Sequence, residues 1–188
     1  PPRLLFHQDD AEATVTVWLH PGETLSLMLD GRSEANLGVD LYMNTLSAHL
    51  PLLLKPGARR VLAVGLGSGV TAGSALRHAV ESVEVVERVP AVARAARLFA
   101  PHNHDPLSDP RLDLRLEDAR SRLRLSDREY DAVISGPSHA WVAGTGALFS
   151  AEFYRTVRGR LAPGGVMAQW LHSYDMTDET LSLVLRTF

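Results

Sequence analysis

Apolar and polar residues alternate twice near the start of the chain. Val15, Val17 and Leu19 share one face of residues 13–19, with Thr14, Thr16 and Trp18 on the other, and the alternation returns through Leu25, Leu27 and Leu29. A period of two marks half-buried strands, and His20-Pro21-Gly22-Glu23 between them has turn chemistry, so a β-hairpin is predicted. Asp30-Gly31 closes it, with a further short strand or a loop to follow. Residues 40–54 carry a helical pattern, with Asp40 near the N-cap and Pro51 expected to end or kink the helix.

From Arg60 the period changes. Short apolar strands are predicted at 61–64, 83–86, 112–116, 130–135 and 165–171, separated by helical stretches at 70–79, 90–100, 119–125 and 150–161 and followed by one at 177–188. Strands alternating with helices mean a parallel sheet with right-handed crossovers. The predicted fold is therefore α/β and Rossmann-like, a doubly wound parallel sheet whose first strand–helix loop lies at the switch point. Two units are expected, a β-hairpin subdomain over residues 1–38 and a nucleoside-binding domain over 39–188.

Composition narrows the chemistry. A chain of 188 residues without cysteine has no disulfide, no thiolate metal site and no cysteine nucleophile. A net charge of −3 lacks the basic footprint of a nucleic-acid binder. The longest apolar run, Leu50-Pro51-Leu52-Leu53-Leu54, falls far short of the roughly 18 residues that span a bilayer. A cytoplasmic protein is expected. The chain begins without methionine, so we expect a piece of a longer protein, and membrane segments elsewhere in that parent stay open.

The candidate chemistry sits at strand ends. VGLGSGVTAG, with Gly65, Gly67 and Gly69, follows the first strand of the α/β part and precedes a helix, where glycines let a backbone approach a ligand. Its Gly-x-Gly-x-Gly spacing differs from that of pyrophosphate binders. Glu87 ends the second strand about twenty residues on, where an acid can hold ribose hydroxyls. Asp118 ends the third, where a carboxylate can accept from an adenine amino group. Each acid alone reads equally as a helix cap or a surface charge, but three such features on three successive strand ends point to a nucleoside. His102, His104, Asp105 and Asp109 read as a solvated loop rather than a metal site, and His49 as a structural residue. His139, after the fourth strand, is the histidine to consider for catalysis. Trp141, Phe149, Gln169, Trp170 and His172 either wall a pocket or anchor their own segments.

Several stretches together resemble the polyamine aminopropyltransferases, the spermidine and spermine synthases, and in particular their bacterial spermidine-synthase-like branch. These are LMLDG at 27–31, AHLPLLLKPGARRVLAVGLGSG at 48–69, VEVVERVPAVARAARLF, DPRLDLRLEDAR, YDAVIS and LFSAEFYRTVRGRLAPGGVMAQW. The resemblance implies an S-adenosylmethionine-dependent methyltransferase fold and a transferase of polyamine biosynthesis. It implies decarboxylated S-adenosylmethionine as aminopropyl donor, a small-molecule amine as acceptor, and no metal. By the same resemblance Gly65, Gly67 and Gly69 hold the nucleoside, Glu87 its ribose, and Asp118 beside Ala119 its adenine. Gly136 stands where the family carries the aspartate that takes a proton from the amine, and Met43-Asn44 and Ala13 stand where it carries a tyrosine–histidine pair and a glutamine. Asp40, His139 or Glu34 could substitute for the missing carboxylate. Two alternatives stay open: an S-adenosylmethionine-dependent methyltransferase on the same fold, and a non-catalytic nucleoside-binding or scaffold domain. The lack of a basic residue in 64–73 favours a donor without a carboxylate. A full fold of this kind carries further strands after the last helix, so this piece is expected either to be less stable than the whole or to pair with another chain, a homodimer being one option.

Overall fold

Two sheets organise the chain. Strands β1 (Arg3–Asp9), β2 (Thr14–His20), β3 (Thr24–Leu29) and β4 (Arg32–Asn36) form an antiparallel sheet in sequential order. Helix α1 (Val39–Leu54) then leads to a parallel sheet in the order β7-β6-β5-β8-β9, built from β5 (Arg60–Val64), β6 (Ser82–Glu87), β7 (Leu112–Leu116), β8 (Tyr130–Ser135) and β9 (Leu161–Gln169). The crossovers are α2 (Val70–Leu76), α3 (Pro90–Ala96) with α4 (Ala100–Asn103), α5 (Ala119–Leu125) and α6 (Ala151–Arg158), and α7 (Asp178–Thr187) comes last. The structure, a computed structural model, describes residues 1–137, 144–171 and 176–188.

Side-chain alternation on the central strands explains the double winding. Val61 and Ala63 of β5 enter one apolar cluster with α1, α2 and α3, whereas Leu62 and Val64 enter a second with α5 and α6. Chain direction across the sheet therefore reverses between β5 and β8, and the loops after those strands open a crevice. Val15, Val17 and Leu27 of the N-terminal sheet are fully buried in the first cluster. That sheet is fastened to α3 by polar contacts too: Ala91 N–H donates to Asp10 Oδ2 at 3.1 Å and Arg94 Nε to Gln8 Oε1 at 2.8 Å.

Two expectations need correction. The N-terminal unit is a four-stranded sheet, not a single hairpin. Its outer strand β1 shows little apolar alternation because it is largely exposed, and β4 is short and bulged. Helix α1 runs to Leu54 as expected, past Pro51, whose carbonyl accepts from Lys55 N–H, and Asp40 stands in its first turn next to the N-cap Gly38. Finally, β9 starts at Leu161 and runs through Pro163-Gly164-Gly165, which pattern reading took as a break. A β9 register shift opposite Tyr130 and Ala132 absorbs them at the sheet edge, where proline costs no ladder bond. Among the described residues, no helix is long and apolar enough to cross a membrane.

Glu84 forms a buried ion-pair cluster. Glu84 on β6 is 2 % exposed and receives Arg122 Nε and Arg128 Nη1, each at 2.6 Å. Removing one partner of a buried pair leaves charge uncompensated. Arg122→Ala should lower unfolding free energy by about 3 kcal/mol in a urea melt, and Glu84→Gln in the same background should recover part of that loss.

Candidate active site

The β5–α2 turn is built by glycines of two kinds. Gly65, Gly67 and Gly69 all have positive φ, at 85°, 54° and 82°, where other residues are strained. Gly65 and Gly67 line the crevice. Gly69 does not; a Cβ there would lie 2.8 Å from Asn103 Nδ2, and one at Gly73 only 1.8 Å from the Asn103 carbonyl oxygen. Asn103 is 1 % exposed and donates through Nδ2 to Ser68 O at 2.7 Å and to Ala96 O at 3.1 Å. It braces the turn from behind. Sequence reading placed it in a solvated loop, because only its neighbours His102 and His104 are exposed.

Glu87 closes the turn from the side. Its Oε2 accepts from Leu66 N–H at 2.9 Å and its Oε1 from Val89 N–H at 2.8 Å. Burial pushes this carboxyl up, and the amides of Leu66, Val89, Arg88 and Gly67 pull it partly back. Asp118 is the N-cap of α5, accepting from Ser121 N–H at 2.9 Å, and it lines the crevice as well. The cap and the ligand readings of this residue are therefore compatible. Ala119, next in sequence, lines the crevice beside it.

These strand ends surround a cavity of about 200 Å³. Its opposite wall comes from β4 and α1, through Glu34, Ala35 and Asn44. Its roof is Gly136-Pro137 at the end of β8, with Gly136 N–H donating to Val64 O at 3.1 Å. A Cβ at Gly136 would sit 3.4 Å from Val64 O, at the edge of ordinary van der Waals contact with the described residues. Among the described residues, four carboxylates line the cavity, Glu34, Glu87, Glu117 and Asp118, and Arg88 is the basic one, paired with Glu12 at 3.3 Å. The Glu34 carboxyl is pushed up to about 7, chiefly by burial, then by the charge of Glu87, with Arg32 opposing. Such a lining suits hydrogen-bond donors and positive charge and repels an anion.

The other candidates fall elsewhere. Asp40 accepts from Asn36 N–H at 3.0 Å and fixes the β4–α1 junction outside the cavity lining. His49 Nδ1 meets His78 Nε2 at 2.7 Å between α1 and α2. Phe149 is 8 % exposed in the second apolar cluster, and Gln169 and Trp170 lie outside the cavity lining. His139, Trp141 and His172 lie outside the described residues. Among the described residues, no three histidines or acids stand close enough together to hold a metal ion.

The contrast between glycines is testable. Gly73→Ala drives a methyl group into the Asn103 backbone and should cost about 3 kcal/mol in a denaturant melt, whereas Gly136→Ala should cost under about 1 kcal/mol.

Comparison with known proteins agrees with this geometry. The family described as the spermine/spermidine synthase domain matches residues 40–187. A spermidine synthase of Dictyostelium discoideum is 30 % identical over 90 % of this chain and 62 % of its own length. A putrescine N-methyltransferase of Nicotiana attenuata is 31 % identical over 79 % of this chain and 42 % of its own. A spermidine synthase solved in complex with the transition-state analogue AdoDATO superposes with a TM-score of 0.81 at 25 % identity, over 88 % of this chain and 57 % of that one. The chain thus spans about half the length of the curated relatives it matches, bacterial polyamine aminopropyltransferases among them.

Proposed function

The chain belongs to the spermine/spermidine synthase family, and from that membership we propose that it transfers an aminopropyl group from decarboxylated S-adenosylmethionine to a small-molecule amine. The observation that carries the proposal is the charge of the cavity, where the described residues supply four carboxylates and one arginine already paired. Decarboxylated S-adenosylmethionine brings a sulfonium and an ammonium and no carboxylate, which matches this lining. The parent S-adenosylmethionine would set its carboxylate among like charges.

The residues divide the work. Gly65 and Gly67 present backbone to the adenosyl group without side-chain interference. Glu87 keeps acceptor capacity beyond the two amide bonds it already makes, because each carboxylate oxygen takes more than one donor, and it receives the ribose hydroxyls. Asp118, with one oxygen engaged as helix cap, accepts from the adenine amino group, with Ala119 packed against the base. The reaction is a displacement. The lone pair of the acceptor nitrogen attacks the carbon next to sulfur, the C–S bond breaks with its electron pair going to sulfur, methylthioadenosine leaves, and the nitrogen sheds one proton. A protonated amine has no lone pair, so a proton acceptor must serve before attack. Gly136 offers none at the position where the family has an aspartate, so the base would have to come from another residue, such as Asp40, His139 or Glu34.

The match to a putrescine N-methyltransferase favours a second reading, methyl transfer from S-adenosylmethionine in the same cavity. Calorimetric titration separates the two. We expect decarboxylated S-adenosylmethionine to bind at least about 10-fold more tightly than S-adenosylmethionine; the reverse order would move the assignment to methyl transfer, and a folded sample that binds neither would reduce the domain to a scaffold. Glu87→Gln should weaken donor binding about 10- to 100-fold, as loss of a charged acceptor does. Gly136→Asp should raise methylthioadenosine release with putrescine by about 10-fold or more if a base is what limits turnover.

A further inference from the structure

Asn103 acts on the cleft without lining it. It ends α4, is 1 % exposed, and engages its whole side-chain amide. Its Nδ2 donates to Ser68 O at 2.7 Å and to Ala96 O at 3.1 Å, and its Oδ1 accepts from Asp105 N–H at 2.9 Å. The first of these bonds continues into the site. Ser68 lines the cleft, and the next amide, Gly69 N–H, donates to Leu66 O at 2.8 Å. Leu66 N–H in turn donates to Glu87 Oε2 at 2.9 Å. The peptide unit between Ser68 and Gly69 is therefore held at both ends. A chain of hydrogen bonds runs from Asn103 to the carboxylate that receives the ribose in the proposed reading.

The second bond closes a clamp. Glu87 Oε1 accepts from Val89 N–H at the N-terminal end of α3, and Asn103 Nδ2 donates to Ala96 O at its C-terminal end. Both ends of α3 are thus tied to the glycine turn. The chain gives way to this residue in two places. Gly69 and Gly73 have no Cβ, and a Cβ at either would collide with Asn103. His104 and Asp105, both exposed, follow one another in the left-handed region, at φ 62° and 46°. Residues other than glycine are strained there, and they persist where surrounding contacts over-determine them. The bond from Asp105 N–H to Asn103 Oδ1 is such a contact.

We propose that Asn103 is a positioning residue of the donor site: through the Ser68 carbonyl it fixes the glycine turn in the shape that receives the adenosyl group, and it couples the Asn103-His104-Asp105 loop to occupancy of the cleft. The inference rests on the proposed reading of the cleft as an adenosyl site. Coupling between two sites is reciprocal. If the bond from Asn103 orders the turn for a ligand, a bound ligand steadies the turn and holds Asn103 in place. The loop then opens less often when the cleft is filled. A side chain that only packed behind the turn would add to stability and leave affinity alone.

Amide hydrogen exchange on the whole chain, with methylthioadenosine as the probe, reads this coupling without any substitution. The Asp105 amide, bonded to Asn103 Oδ1, should exchange at least about 10-fold more slowly at saturating ligand. The Arg128 amide is the control. It donates to Ser126 Oγ at 3.1 Å across the same two-residue spacing, just before β8 at the other end of the sheet, and should change by less than about twofold. The second measurement is calorimetric titration of Asn103→Ala well below its melting temperature, where its affinity for methylthioadenosine should fall about 10- to 100-fold. Asp131→Ala removes a carboxylate that accepts from Arg59 and Arg60 N–H, also away from the cleft; it should lower the melting temperature and leave the affinity within about twofold. If Asn103→Ala does not fold, exchange on the unaltered chain decides. Equal protection of the Asp105 and Arg128 amides, or an unchanged affinity in folded Asn103→Ala, overturns the positioning role while the adenosyl reading of the cleft survives. If the folded, unaltered chain does not bind methylthioadenosine, both fall.

Discussion

The bidentate seat of Glu87 is the constraint on which the site depends. One carboxylate ties the amide of Leu66 in the glycine turn to that of Val89 at the start of the next crossover, so the ends of β5 and β6 are held as one edge. A turn with three positive-φ glycines has wide conformational freedom of its own, and ordering it is entropically costly. Two fixed acceptors on one side and Asn103 on the other select a single shape. Glu87 therefore shapes the turn and still offers acceptor capacity to a ligand. Any change to this carboxyl alters the turn as well as the contact, and its loss of affinity is a sum of both.

Much of the α/β sheet was legible because its strands are short apolar runs bounded by glycine, proline or acid. The order of those strands followed from connection rules that permit few alternatives. The N-terminal sheet was half legible. β2 and β3 bury one face and alternate, whereas β1 is largely exposed and carries little pattern. The opposite edge strand β4, which pairs with β3, is broken by a register shift. Pattern reading assumes a constant period, so it fails where a strand shifts register, and the same holds for the start of β9.

The site shows the same division. Glu87 and Asp118 could be found because they end strands, a position that sequence reveals. Gly69 reads like Gly65 and Gly67 in sequence, yet it serves packing, since the atom that decides its role belongs to Asn103, more than thirty residues away along the chain. Glu34 carries no signal at all beyond its charge. Its place in the cavity wall, its partial burial and the charge of Glu87 beside it appear only when the two sheets are brought together.

Gly136 takes a different meaning in this setting. A Cβ there would make ordinary contact with Val64 O among the described residues. A cavity with a carboxylate at that position would hold five acids, and each addition raises the cost of ionising the others. Burial and the charge of Glu87 already push the Glu34 carboxyl up to about 7, so the described lining disfavours further negative charge. Such a lining favours cations over anions, and this preference comes from where the carboxylates lie.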